Sequence, residues 1–179
     1  MRNRAVRLLL LLLLIASSAF PQDMRLVAAA CGPESVTFDV ELNKTLALPK
    51  PEPGKALVYV IQDQFYFAGC LKCPKTTRVG VDGAWMGANH APSWVSFSVP
   101  PGPHHLCVDL QAAKVFRATE PGRISLASLA AQAGATYYFR VRLLYGEGGP
   151  PLIDLTPIDR DEGQFLLSSY YPSASKPKK

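Results

Sequence analysis

Beyond residue 19 the chain has no apolar run long enough to cross a bilayer, and only 18% of its 179 residues are charged. Three histidines and four cysteines are the whole supply of soft ligands. There is no glycine-rich phosphate loop, no serine on a G-x-S-x-G elbow and no paired Cys/His signature, so nothing points to a nucleotide-binding fold or a nucleophilic hydrolase. Basic charge is scarce too. The formal +5 includes Arg2, Arg4 and Arg7 of a removable leader. Without them sixteen basic residues face fourteen acidic ones. The only basic cluster is Lys176, Lys178 and Lys179 in a Pro/Ser-rich tail, which excludes a nucleic-acid-binding patch.

Turn formers are plentiful. Sixteen prolines and thirteen glycines occur without a fixed period, and 48% of residues are hydrophobic. This describes one domain of short strands and frequent turns rather than a helical bundle or a collagen-like rod. Met1 to Ala19 reads as a secretory signal: basic start, apolar run Leu8 to Ala16, then Ser17, Ser18 and Ala19 before Phe20-Pro21. That run is about half the ~20 residues a membrane-spanning helix needs. The expected location is therefore exported, periplasmic or extracellular, with no transmembrane helix in the mature chain. Ala28 to Ala30 before Cys31 resembles a lipidation site only superficially, because Pro21, Asp23 and Arg25 separate it from the apolar run.

Periodicity sets out the strands. Val36, Phe38 and Val40 alternate with Thr37, Asp39 and Glu41, and a proline-spaced connector from Asn43 to Gly54 follows. Lys55 to Gln62 is apolar on both faces, the pattern of a strand covered on both sides. In Thr76 to Leu110, Thr77, Val79 and Val81 share a face before Asp82-Gly83, a pair suited to a type I′ hairpin turn. Val95, Phe97 and Val99 then point inward, and Pro100 to Pro103 reverses the chain. Leu106, Val108 and Leu110 point inward on the next strand, with His105, Cys107 and Asp109 on its opposite face. Ile124 to Leu129, Thr136 to Tyr145 and Leu152 to Leu155 complete about eight strands. Thr156-Pro157-Ile158-Asp159 and Asp159-Arg160-Asp161-Glu162 both fit a helix start, predicting a short helix to about Tyr170 that packs Phe165 and Leu166 or Leu167 on the sheet. The predicted fold is all-β, an antiparallel sandwich with a short C-terminal helix. The predicted organisation is a signal peptide (1–19), an N-terminal strand and Pro-rich connector (20–54), a β-sandwich domain (55–171) and a disordered tail (172–179).

The runs GKALVYVIQ, TTRVGVDGAWMGA, VPPGPHHLCVDL, AGATYYFRVRL and PIDRDEGQFLLSSY resemble bacterial exported proteins of domain-of-unknown-function family 2846, and the "DG … G … PG-x-H" layout is similar to PEGA-type β-domains. The resemblance covers roughly Cys31 to Tyr171. It implies an immunoglobulin-like or transthyretin-like sandwich outside the cytoplasm and carries no activity. The Cys70-x-x-Cys73 segment is an addition to that pattern.

Four cysteines in an exported chain favour disulfides, and three pairings exist. We adopt Cys31 with Cys107, which staples the N-terminal strand to the outward face of the Leu106 strand, and Cys70 with Cys73 as a local bridge. The competing use is a zinc set of Cys70, Cys73, His105 and Cys107. A redox role for Cys70-x-x-Cys73 would need a helix start to lower the thiol pKa, and Pro74 argues for a loop there. His90, His104 and His105 lack catalytic companions, and Asp159, Asp161 and Glu162 suit helix capping better than calcium. Phe65, Tyr66, Phe67, Trp85 and Trp94 offer either core packing or a partner surface. No cofactor and no catalytic residue is predicted. The functional expectation is a non-enzymatic structural or interaction module of the bacterial envelope or periplasm with an envelope protein as partner; the alternative is a small-ligand or zinc-binding domain.

Overall fold

The computed structural model describes residues 29–45, 47–63, 76–111, 124–145 and 152–178. Ten strands and one helix follow in the order β1 (Phe38–Leu42), β2 (Ala56–Gln62), β3 (Thr76–Val81), β4 (Ala84–His90), β5 (Ser93–Val99), β6 (Gly102–Leu110), β7 (Ile124–Ala131), β8 (Thr136–Leu144), β9 (Leu152–Ile158), α1 (Arg160–Ser169) and β10 (Tyr171–Pro177). They form a six-stranded sheet, β1-β10-β5-β2-β8-β9, facing a four-stranded sheet, β4-β3-β6-β7. The fold is thus mostly β and sandwich-like, with one short helix near the C-terminal end. Among the described residues no helix is long and apolar enough to cross a membrane.

Period-two alternation produces the core. Val58 and Val60 of β2, Val95 and Phe97 of β5, and Phe139 and Val141 of β8 meet Val79 of β3 and Leu106 and Val108 of β6 between the sheets. The β2 strand is apolar on both faces because it is central and doubly covered. Its other face, Leu57, Tyr59 and Ile61, packs with Trp94 under Leu166 and Leu167 of α1. Helix α1 starts where Asp159 accepts a hydrogen bond from the Glu162 amide at 2.8 Å. It lies close on the sheet because residue 163 is glycine: a Cβ there would stand 2.4 Å from the Tyr138 ring. Asp82 and Gly83, both at positive φ (50° and 82°), make the hairpin turn between β3 and β4.

Several sequence expectations are corrected. The sandwich is not purely antiparallel, because β8 runs parallel to β2 and β10 parallel to β5. The expected disordered tail from residue 172 is a strand where it is described: Tyr171–Pro177 is β10, paired with β1 from Phe38↔Pro177 to Leu42↔Ser173. Its proline-bearing sequence hides this, since the strand is held by its ladder to β1 and by hydroxyls rather than by an apolar stripe. Ser173 Oγ bonds Ser93 Oγ at 2.7 Å, and Ser175 Oγ accepts from the Ala88 amide at 3.1 Å. Strand β1, expected in the N-terminal segment, joins the larger sheet through β10. Strand β9 continues through Thr156 and Pro157 to Ile158, which leaves Asp159 as the sole helix cap. Phe165 is 68% exposed, whereas Leu166 and Leu167 are buried.

The registers also sort the connections. At one end of the sandwich lie the Asp82-Gly83 turn, the β5–β6 reversal and the β7–β8 turn around Gly134. At the other, β2, β6 and β8 finish and β3, β7 and β9 begin, as the pairs Gln62↔Val141, Thr77↔Leu110, Asp109↔Ile124 and Leu144↔Leu152 show.

Candidate functional site

The outward face of β3 and β6, the only place where the sequence gathered soft ligands, is covered by the N-terminal segment. Cys31 and Cys107 are joined in a disulfide with Cα atoms 5.2 Å apart. The bond sits in a small apolar cluster of Ala30, Cys31 and Cys107 against Trp85 and Ile124. Beside it Arg78 forms a buried ion pair with Asp109, its register partner on β6. The same guanidinium donates to the Glu34 carbonyl at 2.9 Å and the Val36 carbonyl at 2.5 Å, and stacks 4.4 Å over the Trp85 ring. The Trp85 indole N–H donates to the Pro33 carbonyl at 2.8 Å. Gly32 and Gly80 permit the close approach, since a Cβ on Gly32 would fall 2.4 Å from Trp85 and one on Gly80 3.0 Å from the Ala30 carbonyl. A segment without regular structure is therefore fixed by one covalent bond, four carbonyl-directed or ionic contacts and a tryptophan lid.

This geometry removes a ligand from the zinc set. Cys107 is fully buried and shares its sulfur with Cys31, so it offers no thiolate. His105 is exposed on the same strand. Cys70 and Cys73 lie outside the described residues, as do Phe65, Tyr66 and Phe67. Among the described residues no three His, Cys, Asp or Glu side chains converge to hold a metal ion.

The remaining candidates are committed to separate structural contacts. His90 Nδ1 lies 2.9 Å from the Thr76 hydroxyl. His104 is buried between Asp82 and the Pro100 carbonyl. Glu162, besides its capped amide, accepts from Arg140 Nη1 at 2.6 Å, and Arg140 also pairs with Asp63, which takes a hydrogen bond from the Tyr170 hydroxyl. The Asp63 carboxylate, working against burial, raises the already high pKa of Arg140, with Glu162 adding to it. Trp94 donates to the Tyr170 carbonyl at 3.1 Å and meets Tyr59 edge-on at 5.5 Å. Burial pushes the Tyr59 phenol up to about 12, with Tyr138 adding to it.

Sequence reasoning placed Cys107 and Asp109 on one face but missed Arg78, Trp85 and Arg140 as partners. A signal for Arg78 was present: a charged residue between the inward Thr77 and Val79 that registers with Asp109 two positions from the disulfide cysteine.

A cleft of about 600 Å³ opens between α1 and the start of β8, with Thr136, Tyr138, Pro157, Ile158, Arg160 and Gln164 in its lining. Its polar groups can hydrogen-bond a ligand, and among the described residues its walls hold no thiol, imidazole or carboxylate. No protein-family model matches the chain, and neither the curated proteins nor the solved structures give a significant match.

Proposed function

We propose that the chain is an exported, non-enzymatic β-sandwich acting as a structural or interaction module of the bacterial envelope or periplasm. The observation that carries this reading is the use to which its reactive side chains are put. Cys31 and Cys107 staple a segment, Arg78 and Asp109 anchor it, His104 and Asp82 join two turns, and Arg140 ties α1 to β2 through Asp63 and Glu162. A buried disulfide fits an oxidising compartment outside the cytoplasm. The resemblance to domain-of-unknown-function family 2846, and with it an immunoglobulin-like or transthyretin-like topology, belongs to the same proposal. It rests on the "DG … G … PG-x-H" layout, whose residues lie at the Asp82-Gly83 turn and at the entry from the Pro100-Pro101 reversal into β6.

Two measurements test it. Intact mass and thiol titration of protein recovered from the periplasm of an expressing bacterium should show loss of residues 1–19, no lipid on Cys31 and no thiol reactive before reduction. A retained leader or one zinc per chain overturns the reading. Photo-crosslinkers at Phe165 and Leu144, both exposed, should capture a defined envelope protein in the source bacterium, and absence of any adduct from both sites defeats the interaction role.

A further inference from the structure

His104 occupies a position that only its protonated form satisfies. Its ring is buried, 8% exposed, at the end of the sandwich that carries the tight turns. Nδ1 lies 2.6 Å from Asp82 Oδ2 and Nε2 lies 2.7 Å from the Pro100 carbonyl oxygen. An ionised carboxylate and a carbonyl both accept and cannot donate, while a neutral imidazole has a single N–H. The imidazolium donates to both. Loss of its proton turns one of the two contacts into a pair of opposed lone pairs at a ring that is itself buried, although the Asp82 side chain is half-exposed.

The contacts radiate from Asp82. Its second oxygen accepts from the His105 amide at 2.9 Å, and its own amide donates to the His105 carbonyl at 3.0 Å. Asp82 sits at positive φ in the β3–β4 turn, and Pro100 begins the β5–β6 reversal. One side chain of β6 thus bridges two turns that the chain separates by sixteen residues or more. We propose that His104 is a protonation-dependent clasp between the β3–β4 turn and the β5–β6 turn, holding this end of the sandwich closed while the imidazole is protonated and loosening it as rising pH removes that proton.

The neighbouring elements bring few competing charges. Strands β5 and β7 carry no titratable side chain, and β4 carries only His90, at the opposite end. His105 lies on the opposite face of β6 from His104. The Glu52–Lys55 pair, 2.6 Å apart, lies by Ser98 of β5 and is neutral as a pair. Burial pushes the His104 pKa down, but the Asp82 carboxylate and the Pro100 carbonyl outweigh it and leave the value raised. For Asp82, burial pushes upward, and the hydrogen bonds and charge of His104 and His105 outweigh it to leave the value lowered. The clasp is therefore complete below the ordinary histidine value of about 6.5 and is lost as pH rises through the higher folded value. Its acid limit is the protonation of Asp82, below the ordinary aspartate value of about 3.9.

The test is an NMR titration of the full chain from about pH 5 to 9, the range in which histidine changes charge, read together with amide exchange corrected for intrinsic rate. His104 is expected to titrate above the same residue in an unfolded peptide. Over that transition the amides of Asp82 and His105 should lose roughly threefold to tenfold in protection, while those of Val58 to Ile61 hold theirs. Asp82→Asn should move the transition to lower pH. The proposal is overturned if His104 titrates no higher than the peptide, if both amides keep their protection throughout, or if Asp82→Asn leaves the transition in place. Should that variant not fold, the wild-type titration decides alone.

Discussion

Each sheet of the sandwich has an outer face that would otherwise be wet, and the two are covered by opposite means. On the six-stranded sheet, Leu57, Tyr59 and Ile61 are roofed by Leu166 and Leu167 of α1. The helix satisfies its own backbone, so an apolar stripe is enough to dock it. On the four-stranded sheet the cover is residues 31–37, which belong to no strand or helix and have few backbone partners of their own, such as the Val36 amide on the Pro33 carbonyl and the Lys178 amide on the Thr37 carbonyl. There Arg78 and Trp85 supply donors to Glu34, Val36 and Pro33, and a disulfide fixes the approach. The difference shows what an irregular cover requires: specific donors beneath it, a charge to balance the buried guanidinium, and a tether against the entropy of a loose chain end.

Removing the tether should break the comparison most. The disulfide closes a separation of 76 residues, and loop-closure entropy assigns such a bridge about 4 to 5 kcal/mol, the upper end of what such bonds deliver. Cys31→Ala with Cys107→Ala should lower urea-unfolding stability by up to that amount and strip amide protection from residues 33–37, while the α1 face stays protected. Equal loss of protection on both faces would mean that the covers are not independent.

Arg78→Met comes next. It removes the guanidinium that pairs with the buried Asp109 carboxylate, and breaking a buried ion pair from one side costs about 3 to 5 kcal/mol. Arg78→Met combined with Asp109→Leu should recover most of the global stability, because the uncompensated charge is gone. It should not restore protection of residues 33–37, whose carbonyls have still lost their donors. Recovery of both would show that the ion pair, not the carbonyl contacts, holds the segment.

The two covers were unequally legible in the sequence. Strict alternation exposed the inner faces of β5, β6 and β8, and the doubly apolar β2 announced that something must lie on its second side. The helix could be read from Asp159 and Glu162, although Phe165 was assigned to the packed face and proved exposed. Strand periodicity says which face a residue takes but not what later covers it, so Asp109 could be placed on the outer face of β6 while its burial against Arg78 could not be read. Pairing Cys31 with Cys107 came from the cysteine count and a face argument, whereas β10 escaped notice because its ladder to β1 depends on a partner more than a hundred residues away rather than on its own pattern. The parallel pairing of β2 with β8 likewise depends on topology that local spacing does not encode.

Leu166→Ala tests the apolar cover alone. Leu166 is 5% exposed and packs on β2 and Trp94, so truncation should cost about 2 to 4 kcal/mol, set by the cavity that remains. Residues 33–37 should keep their protection in this variant, the mirror image of the disulfide result.

Phe165→Ser should have the smallest effect and closes the comparison from the solvent side. Its neighbour in sequence anchors the helix, yet Phe165 itself points outward. A surface substitution of this kind stays within about 0.5 kcal/mol, and serine is only slightly poorer than phenylalanine as a helix former. Unfolding by urea should therefore superpose on wild type. A loss comparable to that of Leu166→Ala would show that the apolar stripe of α1 extends one position further round the helix, as its sequence first suggested, and that the cover over β2 is wider than Leu166 and Leu167 make it.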